Sequence, residues 1–402
     1  MALHRKLYSG RAFRRALSIA ELRGIARRRV PHFAFEYIES GAEDELALRW
    51  NRQAFDALRF LPRTLVDTTA RHQRTTLLGR ASDAPLVIAP TAMNGMLCRR
   101  GDVALARAAT AAGIPACLST FSNVRLEALA EEVEGRLWMQ LYLLGDRAIA
   151  RDIIGRAEGA GYEALVLTTD ANVFGFREWD QRNYRAPGRL TLRNLLDAVR
   201  HPRWLWDVLL PGGFPRFENV LDFLPAEARS ARAGVAYLPR LLLPDVTWAD
   251  VEWLRRAWPG KLLVKGILHV EDARRAVALG CDGVVLSNHG GRQLDSCISP
   301  LQVLPEVAAS VGDGAAVLVD GGVRRGADVV KALALGADAV MVGAATLYGL
   351  AAGGEAGARH AIGLLTGEID RVLGQLGCNS VVELGPHLLT HDRDVDRAAA
   401  GH

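Results

Sequence analysis

Eight times along this chain a short apolar run appears, followed by an Ala-, Leu- and Arg-rich stretch of helical character. The runs are Leu86–Pro90, Ala116–Thr120, Leu137–Tyr142, Ala164–Asp170, Lys261–Gly266, Gly283–Asn288, Ala316–Gly321 and Ala339–Gly343. Most are near-continuous in apolar residues rather than alternating, as strands covered on both faces of a sheet must be. Helical segments lie between them, at Gly101–Ala112, Ala148–Ala160, Val270–Ala278 and Arg325–Leu335. Gly113, Gly161, Gly280 and Gly336 stand where a left-handed C-cap would end each one. Eight β-then-α units predict an α/β fold, a closed parallel (β/α)8 TIM barrel, with an open doubly wound sheet as the alternative.

The 402 residues read as one domain. Residues 1–85 form an N-terminal helical extension, 86–350 the barrel, and 351–402 C-terminal helices and a tail. One βα connection, about 171–246, is far longer than the others and leaves the C-terminal end of the fourth strand, where barrel active sites lie. This loop-4 insertion reads either as a lid, part of it touching a membrane, or as a surface excursion with its own small cluster.

Charge narrows the partners. Met1–Val30 carries nine Lys/Arg against Glu21 alone, a local +8 in a chain of formal net charge +4, which leaves −4 for the rest. The excess is thus an N-terminal feature, either a solvated basic face or a membrane-surface contact, and the body is no nucleic-acid footprint. No apolar run is long enough to span a bilayer, and no signal peptide opens the sequence. Cys98, Cys117, Cys281, Cys297 and Cys378 are scattered and odd in number, which speaks against a disulfide framework or a zinc site. A cytoplasmic protein, peripheral at the inner face of the membrane if attached to it, is expected, with no metal.

If the barrel is right, reactive side chains belong at strand ends, and polar residues collect there. Gln140 and Tyr142 end the third strand, Thr168 and Asp170 the fourth, Lys265 the fifth, and Ser287-Asn288-His289 the sixth. His289 is a candidate base, since imidazole accepts a proton near neutral pH, although a lone histidine is more often structural. The glycine pair Gly290-Gly291 beside it permits close approach of backbone to a ligand. Arg292, three residues on, can clamp a carboxylate through two parallel hydrogen bonds, with Arg177 as a second clamp or simply a solvated loop residue. Asp170 could stabilise an imidazolium, or cap its own loop. Asp320-Gly321-Gly322-Val323-Arg324 and Gly343 follow strands seven and eight, the usual phosphate position of barrels. There is no GxGxxG after the first strand, no P-loop and no HExxH, so nicotinamide binding, nucleotide hydrolysis and zinc hydrolysis have no support.

From about Val30 to Leu388 the chain resembles the FMN-dependent α-hydroxy-acid dehydrogenase and oxidase family. The resemblance rests on SNHGGRQLD (Ser287–Asp295), ESGAEDE (Glu39–Glu45), APTAM (Ala89–Met93), WMQLY (Trp138–Tyr142), LTTD (Leu167–Asp170) and DGGVRRG (Asp320–Gly326). It implies FMN as cofactor and oxidation of an (S)-2-hydroxy acid to the 2-oxo acid. His289 would remove a proton from the α-carbon or the hydroxyl, paired with Asp170. Arg177 and Arg292 would hold the carboxylate, and Tyr142 would bond near the substrate oxygen. Lys265 would sit against the flavin ring. Pro90, Thr91, Ala92, Ser119, Gln140, Thr168 and Ser287 would contact the flavin, Asp320 the ribityl chain, and Gly321, Gly322, Arg324 and Gly343 the phosphate.

Two departures stand out. Phe35 stands where the family usually has a tyrosine on the substrate carboxylate, and Ala344 where it usually has an arginine on the phosphate. Together they motivate a rival expectation, an FMN-binding barrel with its chemistry lost. Thr168–Asn183 and Ala345–Gly357 resemble the mandelate-oxidising branch, His201–Val208 the bacterial L-lactate branch. A mandelate-like substrate is the leading expectation and L-lactate the alternative. The electron acceptor is a quinone or, since Ala92 replaces a glycine found in some dehydrogenases, oxygen. The resemblance also implies a homotetramer.

Overall fold

The computed structural model describes residues 8–186 and 188–391; Arg5 and Lys6 of the basic run, and the tail beyond His391, lie outside the described residues. Eight parallel strands close into a barrel in chain order: β1 (Leu86–Ile88), β2 (Ala116–Leu118), β3 (Leu137–Leu141), β4 (Ala164–Thr168), β5 (Lys261–Ile267), β6 (Gly283–Leu286), β7 (Ala316–Val319) and β8 (Ala339–Val342). Hydrogen bonding of β8 to β1 completes the ring, which excludes the open sheet. Each strand coincides with one of the eight apolar runs, β5 reaching one residue further, to Ile267.

Three helices precede the barrel, α1 (Ile19–Arg29), α2 (His32–Glu39) and α3 (Leu46–Asp56). Around it run α4 (Gly101–Ala111), α5 (Leu126–Glu132) and α6 (Arg147–Gly159), then, beyond α7 (Leu192–Val199) of the insertion, α8 (Trp248–Ala257), α9 (Val270–Ala278), α10 (Pro300–Val311), α11 (Gly326–Ala334) and α12 (Ala344–Leu376). α12 breaks at Gly353 and Gly354, where the backbone leaves helical geometry. The four capping glycines all take positive φ. The basic run is partly docked: Arg23 pairs with Glu39, and Arg28 and Arg29 donate to the carbonyls of Gly10 and Ala352.

Side chains alternate across a strand, and this places the chemistry. Val87, Ala89, Cys117, Trp138, Ala164, Val166, Leu263, Val285, Leu318, Ala339 and Met341 form the cluster inside the barrel. Their neighbours, among them Leu86, Leu165, Val264 and Val340, pack outward in the main core with the helices. Continuing the inward parity past the apolar positions yields Ser119, Gln140, Thr168, Lys265, Ser287, Asp320 and Gly343. The same alternation that fills the core therefore presents polar groups at the C-terminal mouth.

The insertion is built of short elements: Glu178–Gln181, a two-stranded hairpin Tyr184–Ala186 with Arg189–Leu190, α7, the helical run Pro202–Leu209 and Ala231–Tyr237. Trp204 anchors it, its indole N–H donating to Met96 O at 2.7 Å and its ring meeting Phe33 edge-on. Helix α7 is capped by Thr191 but faces the opposite way from an ordinary surface helix. Asn194 and Ala198 are buried, while Leu192, Leu195, Leu196 and Val199 are 70, 45, 65 and 67% exposed. An i, i+3, i+4, i+7 apolar stripe in solvent is the reverse of what core packing selects.

Candidate active site

One cavity of about 550 Å3 opens at the barrel mouth, within the roughly 300–1,000 Å3 range of small-molecule sites. His289, on the turn after β6, holds positive φ, and its Nδ1 lies 2.9 Å from Asp170 Oδ1. Burial works to raise the Asp170 carboxyl, but His289 and Lys265 facing it outweigh burial, so its pKa lies below the ordinary carboxylate value. An ionised Asp170 accepts from Nδ1–H, which leaves Nε2 as the basic nitrogen of a residue that lines the cavity. Gly266 makes the pair possible: at φ +105° in the β5 bulge, a Cβ there would lie 2.8 Å from that of Asp170.

Lys265 is wholly enclosed, its ammonium 2.7 Å from Ser287 Oγ and 3.0 Å from Asp320 Oδ2. Burial disfavours that charge, yet Asp320 and Asp170 more than compensate and raise its pKa. Lys265 is therefore a fixed cation. Ser287 Oγ also accepts from the backbone N–H of His289 at 2.9 Å. Ser287, expected against the cofactor, thus sits behind Lys265 and outside the cavity lining, its hydroxyl already committed to positioning two neighbours.

Arg292 lines the same cavity, with its guanidinium donating to Ser40 O at 2.6 Å and Tyr37 O at 2.7 Å. Burial, then the charge of nearby Arg177, pulls its pKa down to about 10, the signature of a cation placed to receive an anion. Arg177 lies 3.6 Å from Asp180, and its buried Nε has no hydrogen-bond partner in the protein. Burial raises the phenol of Tyr142, which remains a neutral donor. Gly175 lets the insertion settle here, since a Cβ would meet Gln293 O at 2.4 Å.

Phe35 requires correction. It is buried against Tyr348 and Arg23, outside the cavity, and Tyr37 lines the cavity instead, its ring stacked under Arg292. Two residues along a helix turn the side chain by about 200°, so only one of the two can face the site. The phenol whose loss was expected is therefore present, and the motive for a chemically silent barrel weakens.

At the other end of the cavity Gly321, Gly322, Arg324, Gly343 and Ala344 converge on the start of α12. Helix N-termini present unpaired N–H groups to anions. The start of α11 is already taken, by Asp328 and Glu368, so α12 is the free one. Arg324 lies over the ring of Tyr348, and Ala344 contributes no charge. Pro90, Thr91, Ala92, Ser119, Gln140 and Thr168 line the middle. Gln140 Nε2, Thr168 Oγ1 and Asp320 Oδ1 are buried there without a protein partner, a set of donors and acceptors that suits the polar edge and ribityl chain of a flavin.

Sequence reasoning missed the support of this site by α3. Asn51 and Asn288 exchange two amide hydrogen bonds at 2.8 Å, and Arg52 bridges Gly322 O and Asp328. Partners 237 residues apart leave no local signal.

A half-buried imidazole–carboxylate pair, a carboxylate-sized clamp and a phosphate-sized helix terminus in one barrel mouth define a class, the flavin-dependent barrel oxidoreductases. Comparison with known proteins agrees. The family profile described as FMN-dependent dehydrogenase matches residues 26–391. The (S)-mandelate dehydrogenase of Pseudomonas putida is 45% identical over 386 residues, covering 96% of both chains. The L-lactate dehydrogenase of Chromohalobacter salexigens is 41% identical over 91% of this chain and 93% of its own. A crystal structure of the monotopic membrane protein (S)-mandelate dehydrogenase superposes with TM-score 0.90 at 45% identity, over 94% of this chain and all of the other. The chain belongs to the FMN-dependent dehydrogenase family, uses FMN, and acts on a CH–OH donor.

Proposed function

We propose that this protein oxidises a mandelate-like (S)-2-hydroxy acid to its 2-oxo acid. The observation that carries the reading is the convergence of His289–Asp170 with Arg177, Arg292, Tyr37 and Tyr142 on one cavity whose further wall is aromatic. The acid's carboxylate lies between the two guanidiniums, with Tyr37 donating to it. Nε2 of His289 takes the substrate proton and Asp170 holds the resulting imidazolium. Tyr142 donates to the substrate oxygen. Bound FMN supplies the acceptor for the two electrons that leave the substrate. Ser119, Gln140 and Thr168 hold its polar edge, with Pro90, Thr91 and Ala92 alongside. Lys265 places a positive charge at its ring, and Asp320 takes the ribityl chain. Gly321, Gly322, Arg324 and Gly343, with the first N–H groups of α12, take the phosphate; Ala344 leaves Arg324 the arginine there.

The outward stripe of α7, continued by Trp206 and Leu210 and flanked by exposed Arg193, Arg200 and Arg203, suits the headgroup boundary of an anionic membrane. Among the described residues no helix is long and apolar enough to cross one. Docking at the inner face would give access to a membrane quinone as electron acceptor, with oxygen as the alternative, and the working unit is a homotetramer. The test is an anaerobic absorbance titration with (S)-mandelate and with L-lactate. Bleaching of the flavin band at lower (S)-mandelate concentration supports the reading; bleaching by L-lactate alone, or by neither, rejects it.

A further inference from the structure

The insertion is not uniformly loose. At Arg216–Asn219 it is bonded to the connection after β2 and to the start of α5 at four points. Asn123 Nδ2 donates to Arg216 O at 2.7 Å, Glu218 N to Ser122 O at 3.0 Å, Asn219 Nδ2 to Ser119 O at 3.3 Å, and Leu126 N to Asn219 Oδ1 at 2.8 Å. Asn123 is itself fixed, its N–H donating to the buried carboxylate of Asp102 and its Oδ1 accepting from Gly95 N. Between these clamps sits Phe217, buried yet lining the cavity. Its ring meets Phe121 edge-on at 5.7 Å and 69°, and Phe121 stacks on Tyr142 at 5.1 Å and 25°. Tyr142 is the phenol assigned to the substrate oxygen, so this aromatic row leads from the reacting carbon to the insertion. Met93, Val235 and Leu238 line the same cavity.

From this geometry we infer that Phe217, carried by the insertion rather than the barrel, is a specificity-determining residue for the substituent on the substrate's α-carbon. The inference rests on the mandelate-like reading above. Aromatic rings attract one another in edge-to-face and offset-stacked arrangements, a contact open to an aryl substituent and closed to a methyl group. Because Phe217 is held before substrate arrives, little ordering cost falls on binding. The proton-accepting pair and the two guanidiniums select for a 2-hydroxy acid, and Phe217 selects which one.

The test is kcat/KM for (S)-mandelate and for L-lactate, with a dye acceptor, in wild type, Phe217→Leu and Phe217→Ala. The mandelate-to-lactate ratio falls about tenfold or more in Phe217→Ala, the scale on which one apolar pocket contact discriminates, and less in Phe217→Leu. An unchanged ratio, whether or not both rates fall, overturns the inference. The wild-type arm judges the function separately: a protein that oxidises neither acid refutes the mandelate-like reading. Phe217 is then decided by binding of phenylacetate against propionate, read from the flavin spectrum, where Phe217→Ala must still lower the preference for phenylacetate and an unaltered preference overturns the inference.

Discussion

The barrel mouth and the outer face of the insertion solve opposite problems. At the mouth, charged groups are drawn back from water and held by polar partners: His289 by Asp170, Lys265 by Ser287 and Asp320, Arg292 by two carbonyls. On α7, four apolar side chains stand in solvent while Asn194 turns inward to bond Asn183. The mouth inherits its geometry from a closed hydrogen-bonded ring, so side chains there can be held to the tolerance proton transfer needs. The insertion contributes Arg177 to the clamp near its start, but its outer face hangs from a few anchors and can differ between relatives without disturbing that ring. The proton-transfer pair and the apolar outer surface are thus separable in this protein.

Substitutions should expose the division, beginning with the largest effect. Asp170→Asn leaves the flavin bound but slows its reduction by the acid about 10³- to 10⁴-fold, since the imidazole loses the carboxylate that orients it. Anaerobic stopped-flow absorbance measures this, and a loss under about tenfold would mean the pair is not the working base. Arg292→Met comes next. Losing charge-assisted hydrogen bonds of about 1.5–3 kcal/mol lowers kcat/KM roughly 10- to 100-fold, mostly through KM. A fall confined to kcat would place Arg292 elsewhere in the reaction.

Much of the fold was legible because burial on both faces leaves its mark in composition, and β1–β8 coincide with the eight apolar runs. Strand-end residues were legible for the same reason, since each interrupts an apolar run at a place the barrel makes meaningful. Helix phase was not legible in α2. Phe35 and Tyr37 are both aromatic, and only the packing of Phe35 on Tyr348 shows which one faces inward. The insertion resisted further, because Pro, Gly and short irregular turns carry no periodicity. Phe217 gains its meaning from bonds to Ser119, Ser122 and Asn123 about 100 residues earlier.

Two smaller effects sharpen the contrast. Replacing Leu195, Leu196 and Val199 together by Gln should weaken binding to anionic vesicles in a sedimentation assay at least tenfold, each buried apolar side chain being worth about 1.5–3 kcal/mol. Flavin reduction by the acid in solution should stay within about twofold, because distant sites that share no contact act independently. Vesicle binding that survives would move attachment to another surface. The smallest effect concerns acid. The Asp170 pKa is lowered on folding, so its contribution to stability is present above the ordinary value of 3.8 and is lost as pH falls through the folded value. The difference in Tm between wild type and Asp170→Asn should therefore narrow below about pH 4. A gap that widens in acid would contradict an ionised Asp170.

The most direct test of the central claim is single-turnover reduction of the flavin in His289→Gln, mixed anaerobically with (S)-mandelate. The account predicts a protein that keeps its flavin, shows the spectral shift of bound acid, and stays oxidised on the timescale of wild-type reduction. Bleaching at the wild-type rate would remove His289 from the chemistry and, with it, the assignment of the barrel mouth as the place where the proton leaves.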